Sequence, residues 1–144
     1  MAIRSRITVR LDEDRKIIVF RVLGDVDGAE IVDTLMKTYA VLNEPWHYHL
    51  VLDISRHDGL MHVSHIDDLR QRWQALAGDY HNTVRGAIIT HNPVSFARIG
   101  NVRTSFKNKN IYTFREFKDG MAWVEKGELP NYEMVDALKS VANF

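Results

Sequence analysis

Apolar and polar residues alternate at the start of the chain with the period of two that is typical of a β-strand. In residues 7–11, Ile7, Val9 and Leu11 fall on one side, which predicts a half-buried strand. Residues 17–23, IIVFRVL, are rich in branched and aromatic side chains and predict a second strand. Because only a short polar turn separates the two, we expect them to form an antiparallel hairpin.

The rest of the chain alternates between helical and strand patterns. Apolar residues that recur every three or four positions predict helices with one buried face, and short continuous apolar runs predict strands covered on both sides. Helices are predicted at 28–42, 63–77, about 93–107, after Asp119, and at about 130–142. Further strands are predicted at 48–54, 84–90 and 111–117.

The predicted order, ββαβαβαβαα, belongs to the α/β class. Strands that alternate with helices form parallel sheets, and the opening hairpin makes the sheet mixed, so we expect a single, mixed, mostly parallel sheet with an N-terminal hairpin. One domain is expected over residues 1–144, with its core at about 7–126 and an extra C-terminal helix at about 130–142.

The composition is typical of a globular domain and argues against several classes of function. Nineteen basic residues balance nineteen acidic ones, so a general attraction to nucleic acid is not expected. The absence of cysteine excludes a cysteine nucleophile, a cysteine zinc site and a disulfide framework. No secretory signal and no apolar run of about 20 residues is found, so we expect a soluble, cytoplasmic protein without a membrane span.

Four segments resemble the STAS domain (sulphate-transporter and anti-sigma-factor-antagonist), and more closely a group of small uncharacterised bacterial proteins with the same SpoIIAA-like fold. The similarity spans roughly residues 7–126 and implies that fold. The four segments are IIVFRVLGDVDGAEI, HLVLDIS, VRGAIITHNP and IYTFREFKDGMAWVE.

The chain departs from the STAS pattern at the start of the second helix. STAS anti-sigma antagonists carry an Asp-Ser-Ser-Gly or Asp-Ser-Thr-Gly motif there, and phosphorylation of its serine or threonine switches partner binding. The corresponding stretch of this chain, residues 53–59, reads DISRHDG and lacks the tetrapeptide. The resemblance therefore implies the fold without implying the phosphoswitch.

The carboxyl ends of parallel strands meet at one edge of a sheet, where ligands of such folds tend to bind. We call this the strand-end edge, and the segments predicted to reach it are 24–27, 53–59, 90–93 and 116–119. The side chains expected to bind a ligand or partner there are Asp25, Asp53, Ser55, His57 and His91.

The predicted third helix adds positive charge to this edge. Residues 95–110 contain four basic residues and no acidic one, and the helix begins near Pro93, where its N-terminus attracts anions. Arg98 and Arg103 are therefore added to the predicted site for a small anionic ligand or a partner protein. A solvated basic face is the structural alternative.

Histidines supply a second hypothesis from a different class. His57, His62, His65 and His91 could converge with a carboxylate at the strand-end edge, and three such ligands with an open position suit zinc or another divalent ion. The second hypothesis is a metal-dependent hydrolase that uses His57, His62 and His91. Their spacing matches no known metal motif.

Serine and aspartate residues before the predicted helices are expected to act as helix caps. Ser64 precedes Asp67 by three residues, as in a capping box, so it is expected to cap the second helix, with a phosphoacceptor role as the alternative. Asp25, Asp27 and Asp119 stand before other helices and suit the same role.

The leading hypothesis is a non-enzymatic SpoIIAA-like domain that binds a regulatory partner protein or a small anionic ligand, without a cofactor. A carrier of lipid or another hydrophobic ligand is a third hypothesis, because some relatives of this shape resemble lipid-transfer domains. The amphipathic terminal helix is suited to twofold packing, so a homodimer is expected.

Overall fold

A computed structural model describes residues 6–59, 62–78, 84–91 and 111–129. The strands in these ranges are β1 (Arg6–Asp12), β2 (Ile17–Gly24), β3 (His49–His57), β4 (Gly86–Ile89) and β5 (Ile111–Phe114). The helices are α1 (Gly28–Ala40), α2 (Val63–Ala77) and α3 (Phe117–Lys126), with a 3-10 turn at Pro45–His47. The helices predicted at about 93–107, with Arg98 and Arg103, and at about 130–142 lie outside the described residues.

The strands form a single sheet in the order β1-β2-β3-β4-β5. β1 and β2 are antiparallel, whereas β2, β3, β4 and β5 are parallel to their neighbours. The predicted α/β class and the mixed sheet with its opening hairpin are therefore confirmed. Because all four parallel strands point the same way, their carboxyl ends meet at the strand-end edge.

Helices pack on both faces of the sheet. On one face, alternate residues of β2 such as Phe20 form a core with α1, and Trp73 of α2 packs against it, with its ring 4.9 Å from that of Tyr39. On the other face, Val51, Ile89 and neighbouring residues pack against α3. We call these the α1/α2 face and the α3 face. None of the helices within the described ranges has the length and apolar character needed to cross a bilayer.

Two of the differences between the predicted and the observed strands concern β1 and β5. The apolar side of β1 is more exposed than expected, with Val9 43% and Leu11 38% exposed, because β1 is an edge strand. β5 ends at Phe114, three residues early, because Glu116 becomes the N-cap of α3 and accepts the Asp119 N–H at 3.2 Å. The prediction that Asp119 caps this helix is wrong. It lies in the first turn, where an acidic side chain still favours the helix dipole.

A β-bulge interrupts the pairing of β2 with β3. Arg21 pairs with Asp53, but the next aligned pair is Leu23 with Arg56, so β3 contains one extra residue. Side chains of a regular strand alternate between faces, and an extra residue reverses that alternation beyond it. Arg56 therefore shares the α3 face with Leu23, and the following residue, His57, turns to the α1/α2 face.

The Asp53 side chain bonds within the bulge. Its Oδ1 accepts hydrogen bonds from the Ser55 N–H at 3.0 Å and from the Ser55 hydroxyl at 2.6 Å. Aspartate commonly bonds the backbone two residues ahead, and a bulge leaves its extra residue without a regular ladder partner. The Asp53 carboxylate thus stabilises the bulge locally.

Asp53→Ala is expected to lower the free energy of unfolding by about 1–2 kcal/mol, because both Ser55 donors lose their acceptor. Asp53→Asn keeps a carbonyl oxygen at this position and is expected to cost less than about 1 kcal/mol. Urea unfolding measures both. The control is Asp58→Ala, at an exposed position directly after β3, expected within about 0.5 kcal/mol of the unaltered chain. Equal losses for Asp53→Ala and Asp58→Ala would contradict the role of Asp53.

His49 connects the amino ends of β3 and β4. Its Nδ1 accepts the Arg85 N–H at 2.9 Å. Burial, and secondarily the charge of Arg85, lower the pKa of His49 from its usual value of 6.5. Because the unfolded chain binds a proton here more readily than the folded one, stability contributed by neutral His49 is present above pH 6.5 and is lost as pH falls below it.

His49→Asn is expected to reduce the loss of stability between about pH 7.5 and pH 5, because asparagine keeps an acceptor for the Arg85 N–H and does not titrate. Urea unfolding at several pH values measures the difference between the two chains. If the His49→Asn and unaltered curves run parallel, His49 is not responsible for the pH dependence.

Candidate functional site

The ends of β2 and β3 stay together beyond the bulge. The Asp58 N–H donates to the Gly24 carbonyl at 2.9 Å, which joins the two loops that leave these strands. Asp58, the donor, and Asp25, which follows the acceptor Gly24, are both exposed. The strand-end edge therefore carries two surface carboxylates on adjoining loops.

The first loop leads directly into α1. Asp27 is the N-cap, as predicted, and its Oδ1 accepts the Ala29 N–H at 3.1 Å. Asp25, two residues earlier, is not the cap of this helix. A side chain that satisfies a free N–H in the first turn fixes where a helix begins.

The start of α2 is held by two histidines. His62 is the N-cap, and its N–H donates to Nδ1 of His65 at 3.2 Å. The His65 ring lies directly against Gly28, where any Cβ would overlap it, so the starts of α1 and α2 are in contact. The prediction that Ser64 caps α2 is wrong, because the helix begins one residue before it. Ser64 is exposed in the first turn.

The structure places the predicted metal-ligating histidines apart. His57 Nε2 lies 2.7 Å from the Val26 carbonyl, and His91 Nε2 lies 2.9 Å from the Arg115 carbonyl. A carbonyl can only accept, so each of these nitrogens carries a proton and is not a metal ligand in this arrangement. Within the described ranges, no three histidine, cysteine or acidic side chains are grouped to hold a metal ion.

A cavity of about 620 Å³ opens on the α3 face near the strand-end edge. It lies between the polar side of the β1–β2 hairpin and the start of α3. Its charged walls include four arginines and two acidic residues, namely Arg6, Arg21, Arg56, Arg115, Asp53 and Glu116. We call it the arginine cavity.

Arg21 is held in place at the centre of the sheet wall of this cavity. Its guanidinium group lies 4.6 Å from the centroid of the Phe117 ring, within the range of cation–π contacts. Its Nε lies 4.0 Å from Asp53 Oδ2, a long ion pair at a half-exposed side chain. Stacking occupies a face of the guanidinium plane and leaves its in-plane N–H groups for other partners.

The predicted site residues divide between the two faces of the sheet. Asp53, Ser55 and His91 line the arginine cavity. His57 instead bonds Val26 on the α1/α2 face, beside the loop that carries Asp25.

Sequence reasoning did not find the arginines of the cavity, because they come from separate strands. One signal was available. Arg21 interrupts the apolar run of β2, and the hairpin register aligns it with Thr8, which is two residues along β1 from Arg6 and on the same side of the strand. A charged residue within a strand expected to be buried on both sides marks a part of the sheet that the helices in the described ranges leave uncovered.

Comparison with known proteins gives no family assignment from sequence. No family model matches the chain. No curated protein matches it either.

Solved structures do match the fold. An uncharacterised protein with a SpoIIAA-like fold from Shewanella loihica PV-4 aligns with a TM-score of 0.55 at 16% identity, covering 83% of this chain and 93% of the other. An anti-sigma factor antagonist from Mycobacterium paratuberculosis gives 0.53 at 16% identity, covering 86% and 98%. The anti-sigma factor antagonist SpoIIAA in its unphosphorylated form gives 0.50 at 12% identity, covering 87% and 100%. The chain therefore has the SpoIIAA-like fold that its sequence resembled.

Proposed function

We propose that this chain is a non-enzymatic module that binds a regulatory partner protein through the strand-end edge on its α1/α2 side. The proposed contact, here called the partner surface, consists of exposed residues from four adjoining segments: Asp25, Asp27, Asp58, His62 and Ser64. The observation that carries the proposal is that these segments are joined before any partner arrives. The Asp58–Gly24 backbone bond joins the two loops, and the His65–Gly28 contact joins the two helix starts.

A rigid surface favours protein recognition because little ordering is needed on binding. The partner surface has three carboxylates, those of Asp25, Asp27 and Asp58, and all three residues are exposed. Complementary charge speeds association and sets the orientation of a partner. We therefore expect the partner to present lysine or arginine side chains to the loops that carry Asp25 and Asp58.

Two of the similar solved structures are named as anti-sigma factor antagonists, which are proteins that act on other proteins. At 16% and 12% identity, the similarity concerns the fold, and it supports the class of function without identifying a partner. The walls of the arginine cavity are strongly charged, unlike the apolar interior that a lipid carrier needs. Protein binding is accordingly preferred to lipid transport.

Ser64 remains the candidate phosphoacceptor within this proposal. It is exposed in the first turn of α2, within the partner surface. A phosphate group there would add about two negative charges, which the N-terminal end of a helix tolerates well. Phosphorylation would thus change the charge of the partner surface without disturbing the helix.

The proposal predicts that reversing charge on the partner surface abolishes partner binding. Asp25→Lys/Asp58→Lys is compared with Glu13→Lys/Asp14→Lys, which makes the same charge change at exposed residues of the β1–β2 turn, at the opposite edge of the sheet. The tagged chains are incubated with extract of the source cells, and retained proteins are quantified by mass spectrometry. A protein retained by the unaltered chain should fall at least about tenfold with the first pair and remain with the second.

Retention that is equal for both double variants would contradict the partner surface. Thermal unfolding of each variant confirms that a loss of binding is not a loss of folding. If binding is lost only with Glu13→Lys/Asp14→Lys, the partner binds at the opposite edge of the sheet.

A further inference from the structure

We propose that the arginine cavity binds a small organic oxyanion with at least two negative charges, such as a phosphate ester or a di- or tricarboxylate. This inference goes beyond the proposed partner binding, because the arginine cavity lies on the α3 face of the sheet. It concerns the chain alone, so it can be tested and can fail independently of any partner.

Positive charge is concentrated in the arginine cavity. The whole chain is neutral, with nineteen basic and nineteen acidic residues, yet the cavity walls carry four arginines against two acids. The arginines come from β1, β2, β3 and the residue after β5, so the fold rather than the local sequence brings them together. Guanidinium groups present paired N–H donors that match carboxylate and phosphate oxygens.

The nearest carboxylate, that of Asp53, lies too far from Arg21 Nε to accept a hydrogen bond from it. Its Oδ1 already accepts two hydrogen bonds from Ser55. Its Oδ2 is the atom that faces Arg21, and the separation of 4.0 Å from Nε is too long for a hydrogen bond. Arg21 thus lies beside an anion that is committed to the bulge, and its donors remain suited to an external oxyanion.

Arg21 and Arg56 are positioned towards the cavity before any ligand binds. Contact with Phe117 restricts the Arg21 guanidinium, and Phe117 itself packs against the core beneath α3. The β3 bulge sends Arg56 to the same face, where a regular strand would send it to the α1/α2 face. Side chains that are already oriented lose less conformational freedom on binding, which favours a small ligand.

Size and lining define the class of ligand. The volume of about 620 Å³ lies within the range of small-molecule sites, about 300–1,000 Å³. Ile89, Leu23 and Phe117 add apolar wall beside the arginines. An organic anion of moderate size uses both kinds of wall, with its charged groups near Arg21 and Arg56 and its carbon skeleton against the apolar residues.

The test is titration of the isolated, isotopically labelled chain with citrate and, separately, with inorganic phosphate, followed by NMR. We expect saturable shifts centred on Arg21, Ser55 and Arg56, with tighter binding of citrate. Arg21→Gln and Arg56→Gln should each weaken binding at least about tenfold, since each removes hydrogen bonds to a charged group. Asp53→Asn should strengthen binding, because it removes a competing negative charge while it keeps the acceptor for Ser55.

Arg10→Gln is the matched control. Arg10 lies on the same side of β1 as Arg6 and Thr8 and is exposed, but it is not part of the cavity wall. At physiological salt, where charges beyond about 8 Å are screened, its replacement should change affinity less than about twofold. Absence of saturable shifts with both anions, or equal weakening by Arg10→Gln and Arg21→Gln, would overturn the proposal. Arg21 and Arg56, the two substituted cavity residues, are exposed, and thermal unfolding checks that each variant is folded.

Discussion

One extra residue in β3 determines which side chains reach each face of the sheet at the strand-end edge. Up to Asp53 the strands pair regularly, and beyond the bulge the alternation is reversed, so that Arg56 joins Arg21 on the α3 face. His57 consequently turns towards Val26. The double hydrogen bond from Ser55 to Asp53 stabilises this arrangement, and a basic cavity and an acidic surface both depend on it.

The sheet separates these two surfaces by charge as well as by position. The loops at the strand-end edge carry exposed carboxylates at Asp25 and Asp58, and the arginine cavity on the α3 side has four arginines against two acidic residues. A chain with no net charge can therefore attract a basic partner and an anionic ligand at once, because exposed charges are screened over about 8 Å at physiological salt. β3 contributes Asp53, Ser55 and Arg56 to the arginine cavity and leads directly into Asp58 of the partner surface, so it is the element that connects them.

Periodicity in the sequence was sufficient for the sheet and for the three helices within the described residues, because burial dictates residue type along each element. α2 has the predicted bounds, with Gly78 as its C-cap. The caps at Ser64 and Asp119 could not be assigned correctly, because several nearby residues were able to fill that role. The sequence pattern does not predict the bulge, because Asp53-Ile54-Ser55 also fits the regular alternation of a strand. The cavity was missed for the same reason: register, not composition, brings its arginines together.

The most direct test of this account is the pairing of β2 with β3, measured by cross-strand nuclear Overhauser effects in the isolated chain. The account predicts that Leu23 pairs with Arg56, that Gly24 pairs with His57, and that the His57 ring contacts Val26. Pairing of Leu23 with Ser55, which is the register of an uninterrupted strand, would place Arg56 on the α1/α2 face and contradict the account.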